Sequence, residues 1–248
     1  MLTRQEISHG LRSLGINSGD VLHVHSSMRA LGPVEGGFDS LVGAFTDVIG
    51  TEGILSVPTH TWNIVSDDQP VFHQLHTRSN LGAFPNYFLD RPDSLRSIHP
   101  THSVAAIGSR AAEFIAGHEN DATACSPEGP YGKLIDLDGK VVLLGVNLNR
   151  CTFFHCLEEI AGCCEIWSLQ KDPVKRWTIA ADGSERCLAY RGHINGVSDH
   201  FYRAEYDLLA EKILIQGFIG PCPVKVLSAR KAADWLVPRL KENTHFFR

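Results

Sequence analysis

The stretch Val141-Val-Leu-Leu-Gly145-Val-Asn-Leu-Asn-Arg-Cys-Thr-Phe-Phe-His155-Cys-Leu-Glu158-Glu159 decides the fold. Its apolar run over 141–146 has no polar alternation, which is the pattern of a strand buried on both faces. A short polar turn follows, and then a helix-like segment that carries a histidine one turn in. Carboxylates stand three and four residues after that histidine, spacings that share one helix face, so Glu158 or Glu159 can orient the imidazole or a bound substrate. A histidine at the end of a buried strand is suited to removing a proton near neutral pH.

Working outward, the same alternation recurs. Thr3 and Glu6 form a capping box at the start of a helix that runs to about Leu14, and residues 20–25 read as a strand. After Gly36-Gly37, apolar residues at 38, 41, 42, 45, 48 and 49 mark one helix face, and residues 53–57 form a second buried strand ended by Pro58. Strand, helix and strand follow again over 103–107, 109–118 and 140–146. The expected class is α/β, a layered α/β/α sandwich on a mixed sheet, with at least some strands parallel. Residues 63–79 are polar and aperiodic, contain His73 and His76, and read as a rim or lid.

The last third changes texture. Residues 164–169, 176–180 and 187–193 read as β segments with a turn at Asp182-Gly183, giving an irregular β-rich C-terminal part. A helix from about Asp199, strands at 213–219 and 224–227 and a Ser228-capped helix to Arg239 complete the pattern. With no repeat and no low-complexity linker, a single domain over 1–248 is expected.

Composition narrows the function. The chain has 248 residues, 21% of them charged, with a net charge of -5 and a pI near 6.2. No basic stripe is present, which argues against nucleic acid as a partner and fits a cationic ligand better. No apolar run approaches the roughly 20 residues that cross a bilayer, and the first residues lack a signal-peptide core, so a cytoplasmic protein with no membrane partner is expected. Seven cysteines without a Cys-x-x-Cys pair read as reduced, mostly buried thiols. Cys151 and Cys156 flank the histidine helix and keep a thiol nucleophile in view.

Five motifs occur in order: His25-Ser-Ser-Met-Arg-Ala-Leu-Gly-Pro-Val-Glu-Gly36-Gly37, Pro58-Thr-His-Thr-Trp62, His99-Pro-Thr-His102-Ser103-Val-Ala-Ala-Ile-Gly108, Ser126-Pro-Glu-Gly-Pro-Tyr-Gly-Lys-Leu134, and the run through Thr152, His155 and Glu158. As a set, over residues 3–240, they resemble the aminoglycoside 3-N-acetyltransferase family, the antibiotic N-acetyltransferase fold that differs from the GNAT acetyltransferases. The resemblance implies a cytoplasmic acyltransferase of antibiotic-resistance type that uses acetyl-CoA as co-substrate and a small-molecule amine as acceptor. It further implies His155 as base, Glu158 as its acid partner and Thr152 one turn earlier. His25, Ser26, Ser27, Gly36 and Gly37 would line the coenzyme A channel, with His102 and Ser103 at the same cleft. Many members carry an aspartate six residues before the histidine, where this chain has Asn149. The acceptor class is accordingly an aminoglycoside or another amino sugar, and a homodimer is compatible with the sequence.

The chemistry stands without the resemblance. An amine attacking a thioester is an ammonium at neutral pH and needs a base, which His155 with Glu158 supplies. Charge developing on the thioester oxygen needs donors, for which Ser26, Ser27 or Thr152 is suited, and the phosphates of the coenzyme suit amides at the helix start after Gly36-Gly37. Two other classes compete. Thirteen histidines, with His23 and His25 on one strand face, raise a metal-dependent hydrolase, although no His-Glu-x-x-His set completes a ligand sphere and no metal is expected. A non-catalytic sugar- or CoA-binding module is the other, and the presence of both His155 and Glu158 argues against it.

Overall fold

The computed structural model describes residues 1–194 and 196–248. Ten strands follow in chain order: β1 Val21–Ser26, β2 Ile54–Pro58, β3 Val71–His73, β4 Leu95–Arg96, β5 Val104–Ile107, β6 Lys140–Leu144, β7 Val174–Ile179, β8 Glu185–Tyr190, β9 Leu214–Ile219 and β10 Cys222–Ser228. Seven of them form one sheet in the order β4-β5-β2-β1-β6-β10-β9, and β3-β7-β8 form a second. β1 runs parallel to β2 on one side and to β6 on the other. β5 and β10 attach antiparallel to β2 and β6, so the sheet is mixed, as expected.

The apolar run at 141–144 is buried on both faces because successive strand residues point to opposite sides. Val141 and Leu143 join one hydrophobic cluster, Val142 and Leu144 the other. The helices Arg4–Ser13 and Gly37–Ile49 cover one face through Ile7, Leu11, Leu41 and Phe45. The helices Phe153–Ala161 and Ala229–Glu242 cover the other through Phe153, Leu157, Leu236 and Leu240. Each fully buried side chain of this size contributes roughly 1.5–3 kcal/mol. The capping box is formed: Glu6 N–H donates to Thr3 Oγ1 at 3.2 Å and Thr3 N–H to Glu6 Oε2 at 2.8 Å.

Several elements differ from the sequence reading. Residues 164–169 are not a strand: Cys164–Trp167 is a short helix, entered after Gly162 ends the preceding helix at φ 78°. The segment 109–118 is a five-residue helix, Ala111–Ile115, and a 3-10 turn, His118–Asn120, separated at Gly117 with φ 85°. The aperiodic loop 63–79 hides β3, which pairs parallel with β7. Ser228 precedes the last helix but makes no side-chain capping bond. The β-rich C-terminal part divides, with β7 and β8 forming a hairpin in the small sheet and β9 and β10 completing the edge of the large one.

Candidate active site

A cavity of about 970 Å³ opens beyond the C-terminal ends of β1 and β6. Because β2 and β6 lie on opposite sides of β1, this is the crevice where open α/β sheets bind ligands. β1 delivers Val24, His25 and Ser26 to it, and the segment after β2 delivers His60 and Trp62. The turn and helix after β6 deliver Asn149, Arg150, Thr152 and His155, and the hairpin of the small sheet adds Val174, Arg176 and Tyr190.

His155 sits in the first turn of its helix, and its Nδ1 meets Glu158 Oε2 at 2.9 Å. Both side chains are buried, Glu158 almost completely. The next carboxylate has another partner: Glu159 Oε1 meets His193 Nε2 at 2.7 Å, and its second oxygen accepts from Thr123 Oγ1. The rings of His155 and His193 lie 4.2 Å apart between centroids at 33°, and Phe201 packs its edge on His155 at 4.9 Å. Thus both helix carboxylates orient a histidine, and the two rings meet at the cavity wall.

Burial sets the electrostatics. It lowers His155 to about 4 and raises Glu158 to about 7, so near neutral pH the ring is uncharged and the carboxyl is part-way through titration. His193 is lowered as well, chiefly by burial. Further histidines line the cavity and continue beneath it. Burial takes His25 to about 3, and its Nε2 has no hydrogen-bond partner. His60 Nε2 meets Tyr131 Oη at 2.9 Å, and its ring packs against His102 at 4.5 Å. His99 stacks on His118 at 4.8 Å.

Of the residues singled out from sequence, His25, Ser26, Thr152, His155 and His102 line the cavity, and Glu158 holds His155 from behind. The rest lie elsewhere. Ser27 caps the short helix Met28–Leu31, accepting from Ala30 N–H at 3.3 Å. Ser103 is fully buried, bonded to Thr59 and to Arg96 Nε at 3.0 Å, and braces the floor. Gly36 and Gly37 adopt φ of 73° and 63° at the entrance to their helix and do not line the cavity. His193, Arg176 and Tyr190 were not legible as site residues, since distant pairings bring them to the wall: the β7–β8 ladder for Arg176 and Tyr190, and a bridge to Leu169 with a bond to Glu159 for His193.

Cys151 and Cys156 are buried, and burial pushes the Cys151 thiol up to about 12 and Cys156 well above the usual range. Among the described residues, two side-chain groups have ligand atoms within 4.8 Å of one another, His155-Glu158-His193 and Cys125-Glu159-His193. In each, a histidine nitrogen is already paired with a carboxylate oxygen, at 2.9 and 2.7 Å. No helix among the described residues is long and apolar enough to cross a membrane.

The layered α/β fold is that of an N-acetyltransferase class, and the chain belongs to the aminoglycoside 3-N-acetyltransferase family, whose model matches residues 23–241. Acetyl-CoA is the co-substrate of these enzymes. Among individual relatives, aminoglycoside N(3)-acetyltransferase IX of Micromonospora chalcea is 34% identical over 270 residues, covering 97% of this chain and 95% of that protein. Aminoglycoside N(3)-acetyltransferase VII of Streptomyces paromomycinus is 32% identical, covering 97% and 92%. The crystal structure of the aminoglycoside acetyltransferase AAC(3)-IVa apoenzyme superposes with a TM-score of 0.82 at 26% identity, covering 99% of this chain and 91% of that one. AAC-IIIb in binary complex with CoASH shares the fold with a TM-score of 0.82 at 23% identity, covering 97% and 96%.

Proposed function

We propose that this chain transfers the acetyl group of acetyl-CoA directly to a primary amine of an aminoglycoside or related amino sugar, with His155 as general base. The observation that carries this reading is the buried His155–Glu158 pair, 2.9 Å apart, with the imidazole on the cavity wall. With Nδ1 donating to the Glu158 carboxylate, the lone pair is left on Nε2, the nitrogen that can accept a proton. A cavity of about 970 Å³ has room for a thioester arm beside a sugar ring.

Acetyl-CoA supplies an activated acyl group. The ammonium first releases one proton to solvent, and His155 Nε2 removes the second, which the neutral amine nitrogen loses as its bond to the acyl carbon forms. Glu158 holds the ring in the tautomer with the proton on Nδ1 and offsets the charge of the imidazolium. Ser26 and Thr152 line the cavity as hydroxyl donors toward the developing oxyanion, and the Thr152 hydroxyl makes no capping bond that would compete. The carbon–sulfur bond then breaks, and the proton held on His155 returns to the departing thiolate. Direct transfer is favoured over an acyl-enzyme because burial holds the Cys151 and Cys156 thiols protonated.

The test incubates the protein with acetyl-CoA and a panel of amino sugars and follows free thiol together with acetylated product by mass spectrometry. His155→Ala is expected to lower kcat by about 10²- to 10⁴-fold while coenzyme A still binds. Turnover near the parent level in that variant removes His155 from the mechanism. A stable acetyl-enzyme formed without acceptor overturns direct transfer.

A further inference from the structure

We infer that His193, held by Glu159, is a positioning residue for the transfer, acting through His155 by packing on the face of that ring and bringing a second carboxylate up to it; this rests on the acetyl-transfer reading of the same cavity. His193 follows β8 and reaches the cavity wall beside His155. Its Nε2 meets Glu159 Oε1 at 2.7 Å, and Thr123 Oγ1 donates to Oε2, so each carboxylate oxygen has a donor. The side chains of His193 and Glu159 are only 4% and 7% exposed, and in a pair so desolvated each partner left alone would be costly. Proton removal by His155 and Glu158 leaves this second pair without a task.

Three observations give the pair its role. With Nε2–H donated to Glu159, the free lone pair of His193 is on Nδ1, and Nδ1 is buried with no hydrogen-bond partner. A nitrogen closed off in this way does not take a proton from an amine in the cavity, so His193 does not replace His155 as base. The second observation is mechanical. Glu158 holds His155 at one edge through Nδ1, Phe201 crosses the ring at 63°, and His193 lies 4.2 Å from it between centroids at 33°. An edge bond alone leaves a ring free to tilt about it, and contact on the face removes that freedom. The third is charge. Two imidazoles this close do not both hold an extra proton, and a neutral His193 leaves that charge to His155. Burial and the Arg248 guanidinium oppose an imidazolium at His155, and Glu159, one ring further out than Glu158, favours it. The other titratable or charged groups that bear on the two pairs are His102, Asp121, Cys125 and Arg191.

The experiment measures kcat, both KM values and the pH profile of kcat for Glu159→Gln and His193→Gln beside the parent and His155→Ala, using acetyl-CoA and the best acceptor of the amino-sugar panel. Glu159→Gln keeps shape and removes a charge at roughly twice the distance of Glu158, so kcat is expected to fall about fivefold with both KM values within about twofold. Because a negative charge that favours bound protons is gone, the rise of kcat with pH should also move about half a pH unit or more toward acid. His193→Gln keeps an amide donor for Glu159 and loses the stacked ring. It is expected to lower kcat about three- to tenfold and to leave the pH of that rise in place. Parent-like kcat in His193→Gln, or parent-like kcat and pH profile in Glu159→Gln, with His155→Ala still impaired, overturns the inference and leaves acetyl transfer standing. A loss in His193→Gln as large as that in His155→Ala would make His193 a base and overturns it too. If the parent binds acetyl-CoA and acetylates no acceptor, the transfer reading and the inference fall together.

Discussion

Replacing Glu158 with glutamine tests the link between the buried pair and the reaction, because it keeps shape and removes charge. The 2.9 Å contact places an imidazolium charge about 4 Å from the carboxylate, an attraction of about 4 kcal/mol at an effective dielectric near 20. If that charge is about half developed when the proton is in flight, the transition state loses about 2 kcal/mol and kcat falls about 30-fold. The pH profile separates this from a general structural loss. Burial lifts Glu158 to about 7, and in its acid form the carboxyl donates to Nδ1, which moves the ring proton to Nε2 and leaves no lone pair there for the amine. The parent kcat should therefore rise with pH through a step near 7 that belongs to the pair. In Glu158→Gln that step should vanish. The assay is thiol release at saturating acetyl-CoA and acceptor from about pH 5.5 to about 9. A variant within about threefold of the parent that keeps the step near neutrality would refute the assigned role.

Two further outcomes follow from burial and backbone. Folded-state pKa values near 3 for His25 and His118, far below the unfolded value, mean that the unfolded chain binds protons first as pH falls below about 6.5, so stability present above that pH is lost on acidification. Asp121, raised to about 8, and Glu158, raised to about 7, act oppositely, their contribution being lost as pH rises from about 4 to those values, but they are outnumbered on the acid side by His23, His60, His99, His102, His155 and His193, which burial also lowers. Melting temperature should peak near about pH 6.5 and fall more steeply on the acid side, and a flat profile down to about pH 4.5 would refute this. Gly37→Val, at φ 63° with nothing within 4 Å of its Cβ position, should cost about 1–2 kcal/mol of stability through backbone strain and leave the acetyl-CoA KM within about twofold. A selective rise in that KM would return the Gly36-Gly37 turn to the coenzyme site.

The parts of this fold that local pattern determines were legible. An unbroken apolar run at 141–146, a capping box at Thr3 and Glu6, and a one-sided helix face from Phe38 to Ile49 each reflect a periodicity set by nearby residues. What depends on distant partners was not. β3 is short and polar in setting, and exists because Trp177, Thr178 and Ile179 pair with it. The choice between Glu158 and Glu159 stayed open in sequence because both spacings share a face with His155. It is resolved by His193, 34 residues from Glu159, which takes the second carboxylate and leaves the first. Ser103 and Ser27 sit in the motifs of the site yet spend their hydroxyls on backbone and neighbours, a distinction only packing makes.

The division of the cavity between two sheets has an evolutionary consequence. Its chemical side hangs from β1 and β6, whose residues are simultaneously the centre of the hydrophobic core, so drift there is punished by unfolding. Its opposite side comes from a hairpin that answers mainly to its own ladder and to β3. Substitutions at Val174 or Arg176 can therefore be sampled at modest cost to the scaffold, whereas Tyr190, buried against His99, is tied to it. A lineage built this way can change which amine it modifies while inheriting the acylating apparatus intact, and new selectivities should arise in the hairpin before they arise in the strands.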